Sequence, residues 1–322
     1  MTRKKIKIGV LFGGKSAEHD VSLQSARNVI NALDKKKYQV VLVKINRNGK
    51  FKFDSIKNFD VVFPVMHGPF GEDGSMQGLL KLAGVPFVGP SVLGSAVGMD
   101  KDVMKRLFRD AGILIGKFIV IKDNEKINFN KVKKELGLPV FVKPVNMGSS
   151  VGINKVRNEK EFKKAVKEAF KFDTKVIIEE FISGREIECS VLGNKKPTAS
   201  IPGEIIANQE FYSYDAKYID EGSVAVIPAK IDKKTTKKIQ ELAIRVFKVL
   251  NCEGMGRVDF FLKKNGRVVV NEINTIPGFT KISMYPKLWE ASGMPFSKLL
   301  DKLIELAIER FKKEQKLKTT VN

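Results

Sequence analysis

The sequence predicts a combined α/β and α+β protein whose N-terminal part is built on a parallel sheet. Three observations carry that expectation. Through the first hundred residues, apolar β-branched runs alternate with helix-periodic segments, the pattern of βα units with helices on both faces of a sheet. Beyond residue 101 the elements mix differently, with short strands around a small-residue loop. Near the C-terminus, strand-like residues 255–262 and 267–274 flank Lys263-Lys264-Asn265-Gly266, and Asn-Gly between such runs signals a hairpin.

The elements follow in order. Residues 6–12 read as an apolar strand that Gly13-Gly14 turns into a helix over 22–33. Strands are expected at 38–45, 61–66 and 86–89, and helices at 75–83 and 91–99. The middle of the chain reads as helix 101–111, strand 117–121, helix 130–136, strands 139–144 and 151–156, helix 159–170 and strand 176–181. Gly148-Ser149-Ser150-Val151-Gly152 should join two antiparallel strands. Beyond Glu186 come strands to residue 206, a polar loop at 208–222, helix 233–250, the hairpin and two helices, with residues 314–322 frayed. The 208–222 loop carries Phe211, Tyr212, Tyr214, Lys217 and Tyr218; its length suits a lid or binding loop.

A chain of 322 residues suits two or three domains. The net charge of +22 is unusual, but Arg supplies only 11 of the 58 basic residues and the lysines are dispersed. That distribution reads as a solvated surface before it reads as a nucleic-acid interface. Cys189 and Cys252 match no zinc or redox spacing, so reduced, buried thiols in a cytoplasmic protein are expected. Arg3-Lys4-Lys5 precedes an apolar run too short, and interrupted by Lys7, to act as a signal peptide. No stretch has the length of a membrane span.

The hairpin carries the chemistry. A two-residue type I′ turn at Asn265-Gly266 would place Lys264 opposite Arg267, Phe261 opposite Val270, Asp259 opposite Glu272 and Arg257 opposite Asn274. The last three pairs then share one face. Two like charges about 5 Å apart repel by roughly 3 kcal/mol at an effective dielectric near 20, and such pairs are normally avoided. A divalent cation explains the arrangement, since an Asp/Glu/Asn oxygen set suits Mg²⁺. A register slip, or neutralisation by Arg257, would explain it too.

Other segments add candidates. The 148–152 loop is small enough to lay backbone N–H groups against phosphate, and Lys143, which ends the strand leading into it, and Lys101, which opens a helix after Met99-Asp100, could add charge to that site. At the end of an apolar run, Glu179, Phe181, Ile182 and Glu186 suit an adenosine, backbone groups of Phe181 and Ile182 meeting the adenine edge. Phe261 either packs against that base or belongs to the core. Glu18 follows Gly13-Gly14-Lys15-Ser16-Ala17, and His67 precedes Gly68-Pro69-Phe70-Gly71-Glu72-Asp73-Gly74. Both loops fall at strand ends, where open α/β sheets bind ligands.

The ordered set of these motifs, with Val21-Ser22-Leu23, Lys143-Pro144, Ala216-Lys217-Tyr218, Gly256-Arg257-Val258-Asp259, Asn271-Glu272-Ile273-Asn274-Thr275 and Pro277-Gly278, resembles the D-alanine–D-alanine ligases of the ATP-grasp superfamily. The resemblance spans nearly the whole chain. It implies three domains, at residues 1–98, 99–186 and 187–322, and a homodimer with neither nucleic-acid binding nor membrane insertion. It implies ATP-dependent joining of two D-alanine molecules through an acyl phosphate, for peptidoglycan precursors. Asp259, Glu272 and Asn274 match the Mg²⁺ ligands, with Mn²⁺ a substitute. Arg257 and the Gly278 N–H match oxyanion-stabilising donors. Glu18 matches the anchor of the first ammonium, and Glu18, Ser149 and Tyr218 match a hydrogen-bonded triad. His67 is placed with the substrate contacts, and Ser283 and Met284 match the groups holding the second carboxylate. Lys101, Lys143, Ser149, Glu179, Phe181, Ile182, Glu186 and Phe261 fall to the nucleotide, and Lys217 to its γ-phosphate. The competing readings are a ligase using D-lactate or D-serine, an ATP-binding protein without ligase activity, and a charge-driven nucleic-acid or membrane-surface binder. Tyr218, where D-lactate relatives resemble Phe, favours an amine acceptor.

Overall fold

The structure, a computed structural model, describes residues 4–207, 223–318, 320 and 321. Its N-terminal sheet has the parallel order β2-β1-β3, with β1 Ile6–Gly13, β2 Tyr38–Ile45 and β3 Val61–Pro64. The apolar run of β1 is buried on both faces. Ile8 and Val10 join one core with Ala26 and Val29 of helix α1, His19–Ala32. Leu11 joins another with Met76 and Leu80 of α2, Ser75–Leu82. The expected strand at 86–89 is reduced to a single bridge between Phe87 and Val62; two prolines, Pro86 and Pro90, flank it and cannot donate to a ladder.

Helix α3, Val92–Met99, is capped by the Ser91 hydroxyl, and α4, Lys101–Asp110, by the Asp100 carboxylate, each accepting from a backbone N–H in the first turn. The central antiparallel sheet has the order β4-β7-β5-β6. Its strands are β4 Phe118–Lys122, β5 Val140–Pro144, β6 Asn154–Val156 and β7 Lys175–Glu180. The pair β5–β6 flanks the 148–152 loop as expected. Helices α5, Phe129–Leu136, and α6, Glu159–Ala169, cover one face through Val132, Phe162 and Ala165.

A third sheet runs β11-β10-β8-β12-β13, with β9 (Thr198–Ala199) paired to β8. Its strands are β8 Arg185–Gly193, β10 Gly203–Ala207, β11 Ser223–Val226, β12 Gly254–Leu262 and β13 Val268–Asn274. Helix α7, Lys233–Val249, buries Ile239, Val246 and Phe247 against it. Two last helices follow, α8 Met284–Ala291 and α9 Phe296–Glu314. They return to the N-terminal sheet: Tyr285, Trp289, Leu299 and Leu303 share a core with Ile8, Val10, Val61 and Phe63. Arg310 on α9 anchors the contact, donating from Nη2 to the Phe87 carbonyl at 2.8 Å and stacking over the Phe87 ring. Among the described residues no helix is long and apolar enough to cross a membrane.

Candidate active site

The three sheets face one cleft of about 840 Å³. Every described candidate lines it except Asp259, which opens onto an adjoining cavity of about 50 Å³ shared with Glu186, Phe261 and Glu272. Lys217 and Tyr218, with the rest of the 208–222 loop, lie outside the described residues.

The hairpin reaches the expected pairing by a different route. Lys263 pairs with Arg267, its N–H donating to the Arg267 carbonyl at 3.0 Å, and Lys263 accepts from Gly266. Only Gly266 has positive φ, +75°, so the connection is a three-residue loop with glycine in the left-handed position rather than a type I′ turn. The register at the turn is therefore one residue off the expected one, and Phe261 faces Val269 instead of Val270. A bulge between Asp259 and Phe260, with Asn271 as the extra residue on β13, restores it. Asp259 then faces Glu272, and Arg257 faces Asn274.

Arg257 takes up part of that charge. Its Nε and Nη2 donate to both oxygens of Asp259 at 2.7 and 2.8 Å. The same Nε lies 2.9 Å from Glu188 Oε2 on β8. Asn274 Nδ2 donates to Asp259 Oδ2 at 3.0 Å. Glu272 points toward Lys101, 3.7 Å away.

On the facing wall stand three lysines. Lys101 and Lys105 lie one turn apart on α4 and so share a face. Lys101 Nζ donates to the Met147 carbonyl at 2.7 Å. Lys105 and Lys143 each approach a different oxygen of buried Glu179 at 2.6 Å. Burial pushes the Glu179 carboxyl up, but the two ammonium groups overcome it and hold the acid well below the usual carboxylate range. Burial lowers Lys143, and Glu179 with Glu272 more than reverses it, so Lys143 stays a cation. Phe181 is exposed in the cleft with Lys155 Nζ 4.6 Å from its ring centre. Its N–H donates to the Pro139 carbonyl, so that donor is engaged within the fold.

The third wall gathers the N-terminal loops. Glu18 is buried and accepts from Ser149 Oγ, which ties the loop after β1 to the 148–152 loop. Glycines make room for that carboxylate: a Cβ at Gly68 or Gly148 would fall 2.6 or 2.9 Å from Glu18 Oε2. Ser149 and Ser150 hold left-handed backbone, φ +48° and +62°, which small polar side chains strain least among non-glycine residues. His67 is buried, with Nδ1 3.1 Å from the Ile276 carbonyl and 3.5 Å from Glu72, and Nε2 3.2 Å from Ser25 Oγ. Ser25 Oγ also accepts from the Phe279 N–H. His67 thus pins residues 276–279, with Gly278 among them, to the N-terminal sheet. Ser283 Oγ accepts from the Thr280 N–H at 2.9 Å, and a Cβ at Gly278 would meet it at 2.7 Å. Gly278 and the start of α8 therefore stand together.

Burial lowers the His67 pKa, but Glu72 and then Glu18 outweigh it and raise it above the ordinary 6.5. A raised histidine stabilises the fold fully below its unfolded pKa and loses that contribution as pH rises through the folded value. An NMR titration should find His67 titrating above 6.5 in the parent and lower in Glu72→Gln; equal values in the two proteins would refute the pairing.

Lys105, Glu188 and Glu72 had escaped the sequence reading. A lysine at i+4 from Lys101 was visible, but in a chain this rich in lysine it did not stand out. Glu188 falls on the same face as Glu186, two residues on, and only the position of β8 beside β12 reveals its partner.

The central and third sheets, closing on a cleft between a cluster of lysines and a row of carboxylates, have the architecture of an ATP-grasp ligase. The family models described as D-ala D-ala ligase N-terminus and C-terminus match residues 7–57 with 52–90, and 107–305. The chain is 50% identical to the D-alanine–D-alanine ligase of Oceanobacillus iheyensis, with 98% of this chain and 99% of the relative covered. The solved D-alanine–D-alanine ligase of Coxiella burnetii is 41% identical with a TM-score of 0.88, over 98% of this chain and 97% of that one. The Bacillus anthracis enzyme complexed with ATP is 32% identical with a TM-score of 0.83, over 96% and 99%. The chain belongs to the D-alanine–D-alanine ligase family.

Proposed function

We propose that this cleft joins two D-alanine molecules at the expense of ATP, giving D-alanyl-D-alanine, ADP and phosphate for peptidoglycan synthesis. The observation that carries the reading is Arg257, a guanidinium held by two carboxylates on the wall opposite Lys101 and Lys143. Binding a nucleotide needs the lysines; it does not need Arg257. The first D-alanine carboxylate oxygen attacks the γ-phosphorus, and ADP leaves. The second D-alanine gives up one ammonium proton to water, its nitrogen attacks the acyl carbon, and the departing phosphate takes a second proton from that nitrogen as the C–O bond breaks. Arg257 and the Gly278 N–H stabilise the oxyanion of the tetrahedral intermediate. Lys101 and Lys143 hold phosphate oxygens. Phe181, Ile182, Glu186 and Phe261 enclose the adenosine, with Ile182 supplying the backbone donor that Phe181 lacks, and Glu179 keeps Lys143 charged and aimed. Glu18 anchors the first ammonium, His67 fixes the loop carrying Gly278, and Ser283 and Met284 receive the second carboxylate. Lys217 completes the γ-phosphate contacts, and Tyr218 the triad with Glu18 and Ser149.

Asp259, Glu272 and Asn274 form an all-oxygen set held in register across β12 and β13, chemistry that fits Mg²⁺ or Mn²⁺. Bound there, the ion would draw charge from the transferring phosphate. The same reading divides the chain at residues 1–98, 99–186 and 187–322, pairs it as a homodimer and sets the reaction in the cytoplasm. Phosphate release and product analysis with ATP and a panel of D-alanine, D-serine and D-lactate test it. Dipeptide should form from D-alanine, and no amino-acid-dependent phosphate release would refute the reading.

A further inference from the structure

Glu188 is the one carboxylate in the central row that the proposed reaction leaves without a part. It lies on β8 opposite Asp259, which faces Glu272, so three acids stand abreast on adjacent strands. It is 8% exposed, and its Oε2 is 2.9 Å from Arg257 Nε. On its other side β10 offers Gly203, and a Cβ there would meet Met284 Cε at 2.5 Å and Leu288 Cδ2 at 2.8 Å. An acid against an apolar wall is costly unless an opposite charge is close.

Asp259 alone already gives Arg257 two short bonds, so a second acid needs a reason. Asp259 has two claimants, the guanidinium and the divalent cation. A carboxylate engaged by a cation pulls less on an arginine, whose flexible stem can then turn toward another anion. Glu188 holds the same Nε from the neighbouring strand and belongs to no cation set. We infer that Glu188 is the positioning residue that keeps Arg257 aimed into the cleft while Asp259 serves the cation. The inference rests on the proposed part of Arg257.

Glu188→Gln keeps the shape and removes the charge. Arg257 then depends on Asp259 alone, and the cation must compete for it. The expected result is a kcat lower by about 10- to 100-fold, the scale of a small misplacement of a catalytic group. KM for ATP should stay at the parent value. Mn²⁺ binding in the presence of a non-hydrolysable ATP analogue, followed by electron paramagnetic resonance, should weaken several-fold. Affinity for ADP without metal should not change. Glu188→Asp should recover part of both kcat and Mn²⁺ affinity. Parent kcat and Mn²⁺ affinity in Glu188→Gln would overturn the inference. So would lost activity with unchanged Mn²⁺ affinity and no recovery in Glu188→Asp, which marks a packing role. Arg257→Lys run in parallel separates the two readings. If it keeps the parent rate, the part given to Arg257 fails and the inference with it. If it is impaired while Glu188→Gln is not, only the inference fails.

Discussion

Glu272→Gln is expected to abolish dipeptide synthesis and leave the fold almost untouched. Glu272 stands opposite Asp259 and points into the cleft, and its pairing with Lys101 is loose at 3.7 Å, with a quarter of its side chain exposed. Such a pair contributes at most about 1 kcal/mol to stability. The larger effect is on chemistry. Removing one carboxylate from the Asp259/Glu272/Asn274 set would take an anionic ligand from the proposed cation, whose charge stabilisation would be worth several kcal/mol in the transition state. Thermal melting should therefore move little while product formation falls below detection. Full activity at low Mg²⁺ would contradict this account of Glu272.

Arg257→Lys is expected to lower kcat by about 10²–10³-fold, the scale of losing one oxyanion donor. Lysine keeps a positive charge, but as a point charge it cannot grip both oxygens of Asp259 through two nitrogens while staying beside Glu188. A stability loss of about 1–3 kcal/mol should accompany it, because Asp259 loses its paired hydrogen bonds and Glu188 its close ion pair in a mostly buried place. KM for ATP should change little, since Lys101 and Lys143 lie on the other wall. Steady-state kinetics with both substrates varied checks the split; a rise in KM for ATP with parent kcat would assign Arg257 to nucleotide binding.

The cross-strand pair on which these expectations rest was legible in the sequence, though for a reason only half right. Asn265-Gly266 marked the turn, but the loop takes three residues and shifts the register by one. The bulge at Asn271 shifts it back, and no local signal distinguishes Asn271 from a ladder residue. The alternation of the first hundred residues disclosed the parallel sheet, because β1 and β3 are apolar on both faces. The return of α8 and α9 to that sheet was hidden: an amphipathic helix shows that it buries a face, not which core receives it. Arg310, which reads as one more basic residue among 58, is buried against Phe87. The same abundance masked Lys105, whose significance comes from its 2.6 Å contact with Glu179 on β7. Glu18 and His67 line the cleft beyond the strand ends, the position that the end-of-strand rule gives them. Their partners come from a separate loop (Ser149), from α1 (Ser25) and from the His67 loop itself (Glu72), and spacing alone does not reveal these contacts.

The central claim is that the cleft makes an acyl phosphate from the first D-alanine. It is tested most directly by carboxylate-labelled ¹⁸O D-alanine with ATP and Mg²⁺, reading the released phosphate by mass spectrometry. Attack of the carboxylate oxygen on the γ-phosphorus and later C–O cleavage require one ¹⁸O in each phosphate formed, with ADP as the other product. Unlabelled phosphate accompanying dipeptide, or AMP and pyrophosphate in place of ADP and phosphate, would contradict it.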